Sequence, residues 1–215
     1  MNNHFRDLLK NEIDKGLPGE NAHQRMSPLK RPLSSLALQE ATNVRESAVA
    51  IILFPLEDSL HCILIQRPIY EGTHSGQIAF PGGKKDLEDI HLEFTARREA
   101  FEEVGIKLNE SLLVGELTDV FIPVSGFKVK PFIYYHETLP SLKADEREVA
   151  EIFTFTISEL LNDDSFSTME IKFPSGITQK NIPCFNLSNK QIWGATALIL
   201  NELRELIMKI YNVSK

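Results

Sequence analysis

The sequence predicts an α+β fold in which a mixed β-sheet lies between helices. Three observations predict it. Apolar runs of strand length recur through the middle of the chain. Segments with an apolar stripe at helical spacing stand at both ends and once in the centre. The two kinds mix without the regular strand–helix–strand repeat of a doubly wound parallel sheet.

In chain order, residues 3–15 predict a short helix, with Phe5, Leu8, Leu9 and Ile13 on one stripe, stopped by Gly16, Pro18 and Gly19. Residues 16–34 are rich in Pro, Gly, Ser and basic side chains and predict an extended arm. Residues 47–54, a continuous apolar run with β-branched members, predict a buried strand. A turn over 55–59 leads to a second strand at 61–67, antiparallel to the first, and then to a loop over 68–85. Residues 92–104 predict a helix. Residues 112–122, 129–135 and 147–155 predict strands, 157–161 a short helix, and 169–173 with 182–185 a hairpin. A C-terminal helix is expected over 192–211, where Ile192, Ala195, Ile199, Leu203, Leu206 and Ile210 recur at helical spacing. The organisation expected is an N-terminal helix and extended arm over residues 1–44, then one domain over 45–215 that includes the C-terminal helix.

Bulk properties narrow the function. A chain of 215 residues with 42% hydrophobic and 25% charged residues suits one large folded domain. The net charge of −7 argues against a nucleic-acid binder, which usually carries a basic face. A small anionic partner remains compatible with it, because divalent cations invert the local field. Cys62 and Cys184 form neither a disulfide framework nor a zinc pattern and read as buried small hydrophobes. No run reaches the roughly 18 apolar residues of a membrane span, and the polar N-terminus lacks a signal-peptide core. A cytoplasmic protein without membrane partners is expected, and a homodimer is compatible with the composition.

The informative stretch is Phe80 to Ile106. At about 100° per residue, Glu99, Glu102 and Glu103 share one helix face, and Phe94, Ala100, Phe101 and Val104 are expected on the other. Like charges at this spacing repel. A divalent cation relieves the repulsion, and carboxylate oxygens are natural ligands of Mg²⁺ or Mn²⁺. By itself such a pattern more often marks a solvated acidic face. The context weighs the other way: Pro81-Gly82-Gly83 allows backbone turns that side chains would block, with φ > 0 expected at Gly82 or Gly83. A glycine-rich loop running into an acidic helix offers backbone groups and carboxylates to one metal-bound phosphate. Arg98, one turn before Glu102, is expected to pair with it, and Gly105 to end the helix.

These residues carry a resemblance. Gly83, Arg98-Glu99-Ala100-Phe101-Glu102-Glu103-Val104-Gly105-Ile106 resembles the Nudix box, a glycine followed by RE-U-x-EE-x-G-U with U bulky and aliphatic. Ala100 fills a U position, the interval from Gly83 to Arg98 is one residue longer than the standard, and the usual glutamate between them is absent. Asp86 and Asp89 stand nearby instead. In this the chain is similar to the coenzyme A pyrophosphatases, whose boxes read GGxxDxxD…REAxEE after an upstream LLTxR…GxxxFPGG. Here Leu64-Ile65-Gln66-Arg67 precedes Gly76-Gln77-Ile78-Ala79-Phe80-Pro81-Gly82-Gly83, with Gly72 where that signature has a second arginine. The stretches 123–132 and 192–197 also look like subgroup segments.

The resemblance implies the Nudix α/β/α sandwich and a metal-dependent pyrophosphohydrolase. Coenzyme A or a derivative is the implied substrate, split into adenosine 3′,5′-bisphosphate and 4′-phosphopantetheine. It implies Glu99, Glu102 and Glu103 as ligands of Mg²⁺ or Mn²⁺. Glu99, Glu102 and Arg98 are the implied catalytic group, and Arg67, Gly82, Gly83 and Lys84 the implied substrate contacts. Arg67 ends a strand, where a guanidinium can grip two phosphate oxygens. Glu148 and Glu151 are candidates for a further acid, though each also reads as surface charge. His74 reads as an incidental loop histidine, Lys128 and Lys130 as solvated charges on one face, and Trp193 as core packing. Two rivals are a Nudix hydrolase of another diphosphate, kept open by Gly72, and a non-catalytic Nudix-fold binding module.

Overall fold

The computed structural model describes residues 2–28, 31–70, 74–172 and 176–213, and the side chains of all of these except 2, 3, 212 and 213. Gly72 and the Phe173 end of the expected hairpin lie outside the described residues. In chain order the elements are α1 (Asn2–Lys15), α2 (Glu20–Arg25), α3 (Ser34–Gln39), β1 (Arg45–Leu56), β2 (Ser59–Gln66), β3 (Ile78–Ala79), β4 (Gly82–Lys84) and α4 (Leu92–Val104). Then come β5 (Leu113–Glu116), β6 (Val120–Ile122), β7 (Phe127–Tyr135), β8 (Glu151–Thr156), α5 (Ile157–Leu161), β9 (Phe166–Lys172), β10 (Thr178–Leu187), β11 (Lys190–Trp193) and α6 (Gly194–Val213).

The sheet is mixed, as expected, and β1 is its axis. It pairs antiparallel with β2, with Leu53 opposite Cys62, and parallel with β7, with Ile51 opposite Ile133. The strand order is β3-β2-β1-β7-β5; β4 joins β1, β6 joins β7 and β8 joins β2. A separate antiparallel sheet runs β11-β10-β9. The continuous apolar run of β1 has a direct cause, since both of its faces are buried. Ala48, Ala50, Ile52 and Phe54 pack toward α4 with Ala96, Ala100 and Val104. Ile51 and Leu53 pack toward α6 with Leu198, Leu203 and Leu206. The result is the expected α/β/α sandwich. The alanines of β1 and α4 put small side chains on both partners, and this lets the acidic helix lie close on the sheet.

Several expectations need correction. The segment 16–34 is not simply an extended arm: it holds α2, packed on α6, and leads into α3. Residues 112–122 are two strands, β5 and β6, interrupted at 117–119. The strand expected from 147 begins at Glu151, after a turn. The loop over 68–85 contains β3 and β4, and Ile192 belongs to β11, so the last helix starts at Gly194. Phe101 does not share the buried face of α4; it is 49% exposed, with Lys107 Nζ over its ring.

The arm is held by polar bonds as well as apolar contact. Glu202 of α6 is fully buried. It accepts from Gly19 N–H (3.0 Å), Thr118 N–H (3.2 Å) and the Thr118 hydroxyl (2.6 Å), and lies 3.0 Å from His23 Nε2. Burial pushes its carboxyl upward, but these partners outweigh burial and hold it below its ordinary value. Further along, Ser34 Oγ accepts from Phe121 N–H (3.1 Å) and Arg31 donates to Phe121 C=O (2.8 Å), so the arm satisfies outward backbone groups of β6. Replacing Glu202 by Leu would strand these donors in the interior. The expected loss is roughly 3–5 kcal/mol of unfolding free energy, measured by urea denaturation. A loss under about 1 kcal/mol would show that the network is dispensable.

Candidate active site

The site begins where β4 meets β1. Gly82 lies opposite Val49 and Gly83 opposite Ala48. A Cβ on Gly82 would sit 2.4 Å from the Ala48 carbonyl oxygen and 2.6 Å from Val49 Cα. A Cβ on Gly83 would sit 2.5 Å from the Glu99 carboxylate. Gly82 has φ 158°, positive as expected but close to the extended limit. The glycines are therefore required by close approach, of strand to strand at Gly82 and of helix carboxylate to strand at Gly83, and not by left-handed backbone.

The acidic helix α4 is fixed at both ends. The His91 ring accepts from Phe94 N–H (3.1 Å) at its start, and Gly105 closes it at φ 75° in the left-handed C-terminal motif. Of Glu99, Glu102 and Glu103, its register fully buries one. Glu103 is 2% exposed. Its Oε2 accepts from Gly82 N–H at 2.7 Å, and its Oε1 lies 3.9 Å from the Arg67 guanidinium. Arg67 also donates to Gly82 C=O (3.3 Å). Burial pushes the Glu103 carboxyl up to about 8, more than Arg67 and the Gly82 amide pull it back. Burial also raises Glu99, against the opposing pull of Arg98. Glu102 is the most open of the three, its side chain 53% exposed.

Arg98 ties the helix to the loop before it. Its Nε and Nη2 hold both oxygens of Asp89 (3.0 and 2.9 Å). Its Nη1 donates to Glu99 and to Glu102, each at 2.8 Å, and Nη2 reaches Lys84 C=O at 3.1 Å. Asp89 is buried and accepts also from Asp86 N–H (2.9 Å) and the Thr95 hydroxyl (2.8 Å). The Arg98 hydrogen bonds hold the Asp89 carboxyl down at about 2. The expected pairing of Arg98 with Glu102 is present. The anchoring by Asp89 is not among the sequence expectations; the one signal for it is an aspartate near the position of the missing glutamate.

The structure thus brings together Arg67, Gly82, Gly83, Arg98, Glu99, Glu102 and Glu103. Lys84 joins only through its carbonyl, and its side chain is exposed. Glu148 lies near enough to raise both Glu99 and Glu103. Glu151 instead pairs with Lys190 at 2.8 Å. Lys128 and Lys130 do share a face, and both pair with Asp119. His74 has φ 71° and its ring bonds Gln77 at 2.9 Å. Trp193 is half-buried at the end of β11 and does not belong to the fully buried core, whereas its neighbour Ile192 does.

Among the described residues no group of three His, Cys, Asp or Glu side chains stands arranged to hold a metal ion. The reason is visible in the bonding: Arg98 spans Glu99 and Glu102, while Glu103 is turned onto Gly82 N–H. The donor chemistry nevertheless fits a hard divalent cation. Carboxylate oxygens are its preferred ligands, buried Glu103 has among the described residues only the 3.9 Å contact to Arg67 as counter-charge, and the missing side chain of Gly83 lets Glu99 come up against the strand.

The sequence profile of the NUDIX domain matches residues 44–171, more than half of the chain. The chain belongs to the Nudix family. Relatives include the Nudix hydrolases NudL of Yersinia pestis and Yersinia pseudotuberculosis, each 32% identical over 167 residues, 78% of this chain and 81% of theirs. The fold is that of solved Nudix structures. A MutT/nudix family protein from Enterococcus faecalis superposes with a TM-score of 0.55 at 16% identity, covering 88% of this chain and 73% of that one. The Nudix hydrolase RenU from M. smegmatis gives 0.52 at 18% identity, covering 79% and 89%. With hydrolase relatives and the box carboxylates on one helix, this Nudix chain is a pyrophosphohydrolase.

The buried carboxyl makes a pH prediction. In the metal-free fold Glu103 holds its proton up to about pH 8, whereas unfolded it ionises near 4.5. The folded value lies above the unfolded one. The stabilising contribution is therefore complete below pH 4.5 and is lost as pH rises through 8. Urea denaturation with chelator present should show stability falling by roughly a few kcal/mol between those limits. Glu103→Gln should remove most of that slope. Equal slopes in the two proteins would mean that Glu103 is not buried in protonated form.

Proposed function

We propose that the protein hydrolyses the diphosphate of coenzyme A or a close derivative, giving adenosine 3′,5′-bisphosphate and 4′-phosphopantetheine. The observation that carries the hydrolytic part is the docking of buried Glu103 on Gly82 N–H, which locks the acidic helix against the glycine strand. The choice of coenzyme A is supported by the likeness of residues 64–83 and 83–106 to the two signatures of that subgroup.

Glu99 and Glu103, with Glu102, would hold Mg²⁺ or Mn²⁺, and the cation when bound supplies Lewis-acid polarisation and charge neutralisation. The chain's own groups do the rest. Gly82 and Gly83 let β4 lie directly on β1 and let the Glu99 carboxylate come up against β4, which seats the acidic face of α4 beside the strand. Arg67 meets phosphate oxygens with a planar pair of donors. Glu102, the most open carboxylate, takes the proton of the attacking water. Arg98 holds the orientation of Glu99 and Glu102 and is itself anchored by Asp89; it acts as a positioning residue. A second reading, hydrolysis of ADP-ribose or a dinucleotide, rests on Gly72, which removes one expected cation from the recognition loop.

Two measurements test the proposal. With Mg²⁺ or Mn²⁺ present and products identified by mass, Glu103→Gln should lower turnover by on the order of 10³. Retention of near-wild-type turnover would remove Glu103 from the metal site. The specificity test compares kcat/KM for coenzyme A, 3′-dephospho-coenzyme A and ADP-ribose under one metal condition. A contact between the 3′-phosphate and a partly buried cation should favour coenzyme A over the dephospho form by roughly 10- to 150-fold. Equal values for those two would show that the 3′-phosphate is not read. Preference for ADP-ribose would sink the coenzyme A assignment and leave the hydrolase intact.

A further inference from the structure

We propose that the N-terminal arm carries a second binding site, for one small phosphate-like anion, in the cavity where α2, the start of α3 and α6 meet. The cavity measures about 70 Å³, and Arg31, His23, Ser34 and Glu20 line it with Leu198 of α6 behind them. It lies on the α6 side of the sheet. Glu99 and Glu103 sit on α4, on the other side, so the two sites are separated by the strand layer.

Arg31 is the first ground. Its guanidinium is partly buried, and burial pulls it below its ordinary value. It donates to Phe121 C=O, and among the described residues no carboxylate pairs with it. A desolvated cation with a single neutral acceptor is an unfavourable arrangement that an anion would correct. His23 is the second ground. It is 4% exposed, its Nε2 faces Glu202, and its Nδ1 is buried without a partner. Phosphate suits this ring in either form: its P–OH donates to a bare Nδ1, and its P–O⁻ accepts from a protonated one. Ser34 is the third. Its oxygen accepts from Phe121 N–H, which leaves its own O–H proton to donate.

Size and charge set the ligand class. The volume is far below the roughly 300 Å³ at which pockets for drug-sized ligands begin, so a nucleotide is excluded. Glu20 carries a negative charge at the wall, but both of its oxygens are taken by Ser35, through N–H at 2.7 Å and O–H at 2.6 Å. A polyanion would meet that carboxylate, whereas a single phosphate can sit on the Arg31 side. Its binding would fasten α2 to α3 and both to β6, because Arg31 and Ser34 already hold Phe121.

The test uses the full chain with chelator, titrated with inorganic phosphate against chloride at equal ionic strength. The His23 ring resonances, assigned with a His23→Gln variant, should move saturably in the millimolar range, and the melting temperature should rise. Arg31→Gln should weaken the phosphate response by about tenfold or more. Ser34→Asp keeps an acceptor for Phe121 N–H and places a carboxylate in the cavity; it should abolish the response in a folded protein. Both variants should keep the wild-type diphosphate hydrolysis rate. No saturable movement at His23, or a wild-type response in Ser34→Asp, overturns the proposal. If Arg31→Gln does not fold, Ser34→Asp decides alone.

Discussion

Glu99, Glu102 and Glu103 crowd one face of α4, and Arg98 is the side chain that makes this tolerable in the protein as it stands. Its guanidinium takes Glu99 and Glu102 on one edge and Asp89 on the other. The loop between Gly83 and the helix is thereby pinned to the acidic face of the helix. A lysine could neutralise one carboxylate but could not span two edges, because it lacks the planar fork. The anchoring carboxylate is an aspartate, shorter by one methylene than the glutamate usual in a Nudix box. It is further stabilised by the Asp86 amide and the Thr95 hydroxyl, so its reach is fixed from three directions.

The second constraint is space. Glu103 can bond Gly82 N–H only if α4 lies close on the sheet, and that depends on Ala48 and Ala50 facing Ala96 and Ala100. It also depends on strand β4 having no side chain at Gly82 or Gly83, since a Cβ at either would overlap β1 or Glu99. Core packing and site geometry are therefore not separable here. A larger residue at Ala96 or Ala100 would lift the helix and withdraw the carboxylates from the glycine strand, even without touching the site.

Much of this is legible in the chain. The helix over 92–104, the long central strands and the C-terminal helix come from apolar periodicity, and the three box glutamates from helical spacing. What escapes has a common cause. β3 and β4 are two and three residues long and contain no alternation to read. α2 and α3, six residues each, are too short to be stable on local propensity; α2 is held by Glu202 at His23 and by Asn201 at Ala22 C=O. Phe101 is exposed and Glu103 buried, against expectation, because hydrophobicity predicts the aromatic inside. The alanine contact with β1 fixes the rotation of α4 instead and turns Phe101 outward. Asp89 reads as one of several loop acids, and nothing but the fold brings it to Arg98.

Glu103 shows why a buried acid is retained at the edge of a core. Among the described residues its one ion-pair partner is Arg67, at 3.9 Å, and its carboxyl is held neutral by burial well above its ordinary range. An apolar residue there would fit the packing better and would leave Gly82 N–H without an acceptor. The carboxyl therefore satisfies a strand amide in the resting protein. It is also the group that would gain most from a divalent cation, since such an ion would supply the counter-charge that the ionised carboxylate lacks. Glu102, exposed and bound to Arg98, gains less in this way and stays available to solvent water. The three glutamates are equivalent in sequence spacing and unequal in environment. That inequality, set by how deeply α4 is seated, is what can divide ligand and proton-accepting roles among identical side chains.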